Sequence, residues 1–435
     1  MRWFFCVVLL LLMSLAFDLG LLAYAMYVLL GVLLVSRALA KTWVENLSAV
    51  RECNRYSAQV GETVAVVVTI ENAGRLPVPW VLLEDLLPPS ALIHEPPALR
   101  VLGDRLQLAM LSSRGRKSML YQLQCNRRGY YQIGPLLLET GDLFGLHRRY
   151  RIGSDPHFLL VYPEVVALDG WDVASRRPIG EVRMTHRLYE DPTRIAGVRA
   201  YEAGDPLNRI HWRATARTGM LHSKVYEPST VVGATLLLDF HRSAFDPHHE
   251  PFRSELAVTT IASLANAVYQ MGHQVGLVTN GRDAADRIRQ EGWDYDIRSR
   301  QAARRVAAML DESDRLSPVV VETRRGVEQL SRILEALARV ELTDGLNFAE
   351  LVEETVSRLP RDATIVAMPA SVPAETAVTL GNLRRRGFAV TAIVNIFDEY
   401  EFEQASARLL AEGIEVRQLK DKQGIATICR SYVLG

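Results

Sequence analysis

Eight residues between Tyr201 and Lys224 carry side chains or backbone freedom suited to chemistry or tight binding: Tyr201, Gly204, Asp205, Arg209, His211, Trp212, Arg217 and Lys224. A carboxylate and an imidazole so close together could do acid–base work, with His211 as the base and Asp205 orienting it. That chemistry also needs a nucleophile, and the stretch supplies no obvious one. Two other uses fit the same residues. Trp212 could be buried between domains while Asp205 pairs with Arg209 or Arg217 to lock the joint. Alternatively Tyr201, Arg209, His211 and Trp212 could form an exposed patch that grips a partner. Gly204-Asp205-Pro206 predicts a turn that opens a helix at Pro206, because Asp suits the N-cap and Pro the first helical position. His211, Trp212 and Arg217 would then ride on or near that helix.

The elements around this stretch change character along the chain. From residue 231 to 435, apolar strands at 235–240, 274–279, 363–368, 388–396 and 414–418 alternate with helical patterns at 252–271, 301–312, 324–339, 347–358, 374–386 and 400–412. Such alternation predicts a doubly wound, Rossmann-like α/β domain, with any site at the C-terminal ends of its parallel strands, beginning just after Asp239. Residues 48–165 read differently. Short β-branched runs such as 63–70, with Pro and Gly at regular intervals and no helical period, predict an antiparallel β-sandwich. Gly141 to Gly145 reads as a tight turn, with Phe144 plugging the end of the sandwich. Residues 38–47 are expected as a linker, and 166–230 as a connecting segment that carries the Tyr201–Lys224 cluster.

Residues 3–36 are almost continuously apolar and too long for one upright span, since about 20 residues cross a bilayer core. Asp18-Leu19-Gly20 divides the run, which predicts a transmembrane helical hairpin over residues 1–37 with arms at 3–17 and 21–36. Arg2 before the first arm, and Arg37 and Lys41 after the second, place both ends in the cytoplasm by the positive-inside rule. The bulk of the chain is thus expected to lie in the cytosol. A single tilted span with an exported remainder, and a cleaved signal peptide, are the alternatives.

Lys+Arg and Asp+Glu are equal at 50 each, so no overall charge argues for nucleic acid as a partner. Cys6, Cys53, Cys125 and Cys429 show no CxxC or metal-ligand spacing, as expected for reduced thiols. There is no GxxxxGK[ST] loop, no GxGxxG after a strand, no HExxH and no GxSxG. The arginines at 127–128, 148–151 and 176–177 could face anionic headgroups or an acidic partner.

The segment Val198 to Pro206, followed by Arg209-Ile210-His211-Trp212-Arg213-Ala214-Thr215-Ala216-Arg217 and Leu221 to Glu227, strongly resembles the signature of a bacterial family, domain of unknown function fifty-eight (DUF-58). The likeness extends to the apolar hairpin, to Arg128-Gly129-Tyr130 and to Gly141 to Gly145. It implies that the last part of the chain is similar to a von Willebrand factor A domain, and that the usual partner is a MoxR-type AAA+ ATPase. Domains of that kind that bind Mg²⁺ use an Asp-x-Ser-x-Ser loop after the first strand. Here the loop reads Asp239-Phe240-His241-Arg242-Ser243, so Asp239 and Ser243 match while His241, a softer ligand, replaces a serine. The strand end that should bring a second carboxylate reads Ala367-Met368-Pro369-Ala370. No metal or other cofactor is therefore expected, with Mg²⁺ at Asp239 and Ser243 as the alternative; His248-His249 reads as solvated.

Together these readings predict a membrane-anchored, non-catalytic adaptor that binds a protein, an AAA+ ATPase by family resemblance, in the assembly or maturation of an envelope or enzyme complex. An enzyme centred on Asp205 and His211, and an exported adhesion-type module, are the competing expectations.

Overall fold

The computed structural model describes all residues except 1, 18, 94, 143, 144, 146, 169–189, 202–209, 229–232, 287–315, 362 and 429–435. Two N-terminal helices, Arg2–Ala16 and Gly20–Glu45, pack on each other as a hairpin. The second is long and apolar enough to cross a membrane, whereas the first, at 15 residues, is shorter. Leu9, Leu12, Leu21, Tyr24 and Val28 are exposed along the pair. In water such side chains would forgo their transfer free energy, whereas lipid would solvate them. The second helix does not stop near residue 37. It runs on to Glu45, through most of the stretch expected as a linker, because Ala38 to Glu45 contains no Gly or Pro, and Asn46 ends it.

The chain divides into two compact units. One comprises Met1–Glu164, Arg282–Asp314 and Leu334–Glu341; the other comprises Val165–Gly281, Arg315–Ile333 and Leu342–Gly435. Beyond the hairpin, the first is built on β-sheet. One four-stranded sheet orders Leu47–Cys53, Thr63–Asn72, Arg116–Cys125 and Leu99–Leu102; a second orders Arg148–Ser154, Leu136–Gly141, Val78–Asp85 and Leu106–Leu111. Every pairing in both is antiparallel. Alternate residues of strand 63–72 (Val64, Val66, Val68 and Ile70) are buried, and they share one core with Val81 and Leu83, Met119 and Tyr121, and Leu136 and Leu138. A third sheet joins Ser57–Gln59, His157–Tyr162 and Gly129–Ile133, the first pair being parallel. The apolar helix Gly20–Glu45 packs on strands 136–141 and 148–154, and Trp43 enters the shared core. The residue expected to plug this region, Phe144, lies outside the described residues.

The unit also takes in the short pair Arg282–Asp283 with Val340–Glu341, which the sequence did not predict. Arg128, buried, donates to the carbonyls of Leu337 and Val340 at 2.8 Å each. Those carbonyls lie where a helix leaves acceptors unmet, so a buried guanidinium is a natural cap.

The second unit carries a six-stranded sheet in the order Val319–Arg324, Gln274–Thr279, Gly233–Leu238, Ala363–Met368, Val390–Val394, Glu415–Gln418. All neighbours are parallel except the edge strand 319–324. Strands 233–238 and 390–394 are buried throughout, the pattern of a sheet covered on both faces. Helix Phe252–Gln270 packs on strands 233–238 and 274–279. Helices Phe348–Thr355, Ala374–Arg385 and Glu399–Ala411 share a core with Leu237, Ile365, Ala367, Ala392 and Val394. The helix expected at 301–312 falls outside the described residues. Strand 319–324 was not anticipated; its run of valines is so short that periodicity could not separate it from the helix that follows.

Candidate functional site

After strand 233–238 the chain moves to one side of the sheet to form 274–279, and it later returns on the other side as 363–368. The strand order therefore reverses between 233–238 and 363–368, and the crevice outside their C-terminal ends is where open α/β sheets bind ligands. Asp239 is the first residue past strand 233–238, directly at that point. Its N–H donates to the Met368 carbonyl (3.1 Å), continuing the ladder by one residue.

The Asp239 carboxylate is buried and surrounded by protein donors. Oδ1 accepts from the His241 N–H (3.1 Å) and from Asn280 Nδ2 (3.0 Å), while Oδ2 accepts from the Ala370 N–H (3.4 Å). Burial raises its pKa above the ordinary carboxylate value, and these hydrogen bonds oppose the rise. Asn280 in turn accepts from the Phe240 N–H (2.6 Å) and donates to the Leu346 carbonyl (2.9 Å), so one side chain ties three segments together. Thr343 closes the group, exchanging backbone hydrogen bonds with Phe240 and Arg242. His241 and Ser243 do not converge on Asp239. They bond to each other, Nδ1 to Oγ at 2.7 Å, on the exposed side of the loop. Among the described residues no cluster of three or more His, Cys, Asp or Glu side chains could hold a metal ion. The donors around Asp239 are N–H groups, which is the wrong polarity for a hard cation that requires oxygen ligands.

The neighbouring strand ends add a second feature. Arg253, near the start of helix 252–270, is buried and exchanges hydrogen bonds with Asn395, the first residue past strand 390–394 (3.0 and 2.9 Å). Its guanidinium lies 4.7 Å from the Phe397 ring centroid. Phe252 stacks on Phe397, and His249 meets the same ring edge-on. Sequence reasoning missed Asn280, Asn395, Arg253 and Phe397. A usable signal existed: Asp239, Asn280 and Asn395 each follow directly on an apolar strand of the parallel sheet, so reading the first polar residue after every strand would have found all three.

The Tyr201–Lys224 cluster occupies a separate small element of the same unit. Strands Glu190–Ala200 and His222–Pro228 pair antiparallel, with Val198 opposite Lys224, and helix Trp212–Thr218 lies between them in sequence. Tyr201 is half-buried and its N–H donates to the Leu221 carbonyl (2.9 Å). Gly204, Asp205 and Arg209, and the helix start expected at Pro206, lie outside the described residues. The helix begins instead with His211 as its N-cap, whose Nδ1 accepts from the Ala214 N–H (3.0 Å). With Nδ1 committed in this way, neutral His211 carries its proton on Nε2, and the ring keeps no free lone pair for a general base. Gly219 ends the helix in the left-handed conformation (φ +74°), where a side chain would be strained.

Trp212 is 67% exposed, as the first residue of a short helix none of whose residues is buried. Arg217 is likewise exposed in the last turn. Trp212→Ala is accordingly expected to change stability by less than about 0.5 kcal/mol, as for surface positions generally. Thermal denaturation checks this, and a loss of several degrees would mean that the indole is packed after all.

An apolar helical hairpin, an all-β region and an α/β region with a buried carboxylate at its switch point define a multidomain chain of a recognisable class. Residues 197–346 match the family described as "Protein of unknown function DUF58". It is also 25% identical over 264 residues to the uncharacterized protein YeaD of Bacillus subtilis (strain 168), a match that covers 60% of this chain and 62% of YeaD. The chain thus matches less than two thirds of that relative's length. Among solved structures, the CARDB domain of PF1109 from Pyrococcus furiosus, in complex with di-metal ions, is similar to 26% of this chain and 91% of its own (11% identity, TM-score 0.19). Proximal thread matrix protein 1 from the mussel byssus is similar over 45% of this chain and 46% of its own (11% identity, TM-score 0.28). Neither likeness bears on fold or function at these scores.

Proposed function

We propose that this chain is a membrane-tethered, non-catalytic adaptor. The helical hairpin sits in a bacterial inner membrane, the all-β region is a β-sandwich spacer on the cytosolic side, and the α/β region is a von Willebrand factor A-like domain. That domain binds a protein partner, an AAA+ ATPase of the MoxR type, in the assembly or maturation of an envelope or enzyme complex. The binding face is the C-terminal edge of the six-stranded sheet. The observation that carries this reading is the hydrogen-bond closure around Asp239: a carboxylate at the switch point satisfied by Asn280, His241 and Ala370 holds a rigid loop edge and leaves His241, Ser243 and Phe252 outside for contact. Hot spots of protein interfaces favour such preorganised edges with aromatic groups at hand. The reading includes no metal.

The test is a pull-down of the detergent-solubilised full chain with the ATPase. His241→Ala/Ser243→Ala is expected to weaken capture at least about tenfold, the range of a lost hot spot. His211→Ala/Trp212→Ala reports whether the exposed helix joins the face. Undiminished capture by the first variant would remove the sheet edge as the binding face.

A further inference from the structure

The short helix Trp212–Thr218 buries none of its residues, so it adds nothing to a core. Yet it is held firmly. His211 caps its start, Gly219 ends it, and one side of it is pinned to strand His222–Pro228. Thr215 Oγ1 accepts from the His222 N–H (3.1 Å), Thr218 Oγ1 lies 3.2 Å from His222 Nδ1, and the His211 N–H donates to the His222 carbonyl (2.8 Å). Thr215 and Thr218 thus mark the inward face.

With about 100° between successive residues, the opposite face is made by Trp212, Ala216, Arg213 and Arg217, in that order around the helix. All four are exposed. The indole of Trp212 is 67% exposed, and Met220, just past the helix, is exposed to the same 67%. Among the described residues neither Arg213 nor Arg217 makes an ion pair or a hydrogen bond. Residues 206–226 include Arg209, Arg213, Arg217 and Lys224 but no Asp or Glu, so nothing in this stretch answers their charge.

Trp and Arg are the side chains that most often dominate the energy of an interface once they are covered. Here both kinds share one face of a rigidly held helix. The two guanidiniums stand one helical turn apart, roughly 6 Å, and each presents a fork of donors that matches a carboxylate. A bilayer surface would need a continuous apolar face, whereas this one offers an indole and a methyl group. Nucleic acid fits less well too, because a chain with equal acidic and basic residues has no overall field to gather a polyanion. An acidic protein segment needs only the local pair.

We propose that the Trp212–Arg217 face is a docking site for an acidic segment of a protein partner, with two carboxylates on Arg213 and Arg217 and an apolar side chain covering Trp212. The inference rests on the protein-binding reading above, but not on the sheet edge as the binding face.

The full chain in phosphatidylcholine nanodiscs is titrated with a fluorescein-labelled, glutamate-rich peptide with a central leucine, and with the same peptide carrying glutamine for every glutamate. Anisotropy reads the binding. Wild type is expected to hold the glutamate peptide at least about tenfold more tightly, and added salt should narrow the gap. Arg213→Gln/Arg217→Gln should abolish the preference, and Trp212→Ala should weaken the glutamate peptide about tenfold. Arg358→Gln/Arg361→Gln removes two exposed charges elsewhere in the same unit and should change nothing. Equal binding of the two peptides by wild type overturns the site, as does a loss in the Arg358/Arg361 variant as large as that in the Arg213/Arg217 variant. Displacement of the peptide by phosphatidylglycerol vesicles or duplex DNA at a lower charge concentration than by unlabelled peptide also overturns it, and assigns the face to lipid or nucleic acid. The titration contains no ATPase, so its failure removes this face alone and leaves the adaptor reading to be decided by the pull-down.

Discussion

Replacing Asp85 with Ala is expected to destabilise the all-β region by about 3–5 kcal/mol, the cost of leaving a buried charge without its partner. Arg51 and Asp85 are both fully enclosed, with side-chain exposures of 0% and 0%. The guanidinium meets both carboxylate oxygens, Nε to Oδ2 at 2.8 Å and Nη2 to Oδ1, so the pair is bidentate. The remaining demand is met as well. Nη1 donates to the carbonyls of Ile133 and Asp155 (3.0 and 2.9 Å), and Tyr121 Oη donates to Asp85 Oδ2 (2.7 Å). Burial, with the Asp85 charge beside it, holds the Tyr121 hydroxyl well above its ordinary pKa, so it remains a donor at neutral pH. The network joins strands from both four-stranded sheets, because Arg51 lies on strand 47–53 and Asp85 on strand 78–85.

The measurement is hydrogen exchange by mass spectrometry on peptides of strands 63–72 and 116–125, which isolates this region from the rest of the chain. Asp85→Ala should raise exchange there sharply, while Arg51→Met/Asp85→Leu should cost less than Asp85→Ala alone, because removing both charges leaves neither stranded. Gly134 is a linked position. It has φ +95°, and a Cβ there would sit 2.3 Å from Arg51 Nη2, a group that Asp85 prevents from yielding. If Asp85→Ala leaves exchange unchanged, the pair contributes nothing that water cannot replace.

How much of this was legible in the sequence depended on the range of the interaction. The hairpin and the alternating strands and helices of the α/β region are local patterns, and they stand close to where the periodicity put them. The Arg51–Asp85–Tyr121 network was invisible, because three polar residues scattered over separate strands carry no mark of convergence until the sheets are assembled. Trp212 stayed ambiguous for another reason: a large indole in an arginine-rich stretch suits a buried joint and an exposed patch alike. At the strand 363–368 end the sequence reads Ala367-Met368-Pro369-Ala370 and offers no carboxylate. What that strand end supplies instead, the Ala370 N–H toward Asp239, is a backbone group that no side-chain pattern announces.

The switch-point carboxylate gives the second large effect. Asp239→Ala removes the acceptor for Asn280 Nδ2 and for the N–H groups of His241 and Ala370, and each buried donor left unsatisfied costs about 1–3 kcal/mol. Asp239→Asn should cost less, since its carbonyl oxygen keeps the two Oδ1 partners and only the longer contact to Ala370 meets a donor. The two variants also separate by pH. The folded pKa of Asp239 is raised above the ordinary value of 3.8, so the folded state holds its proton more tightly than the unfolded chain does. The ionisation penalty is absent below 3.8 and grows as pH rises through the raised folded pKa, then stays constant. The stability of wild type relative to Asp239→Asn should therefore fall across that window, the reverse of an ordinary salt-bridged aspartate. Urea unfolding from pH 3.5 to 7, read by exchange in strand 233–238, measures the difference. A difference that rises with pH would mean that the folded protein favours the ionised carboxylate, and a rise that steepens on adding Mg²⁺ would mean that a cation reaches Asp239 after all.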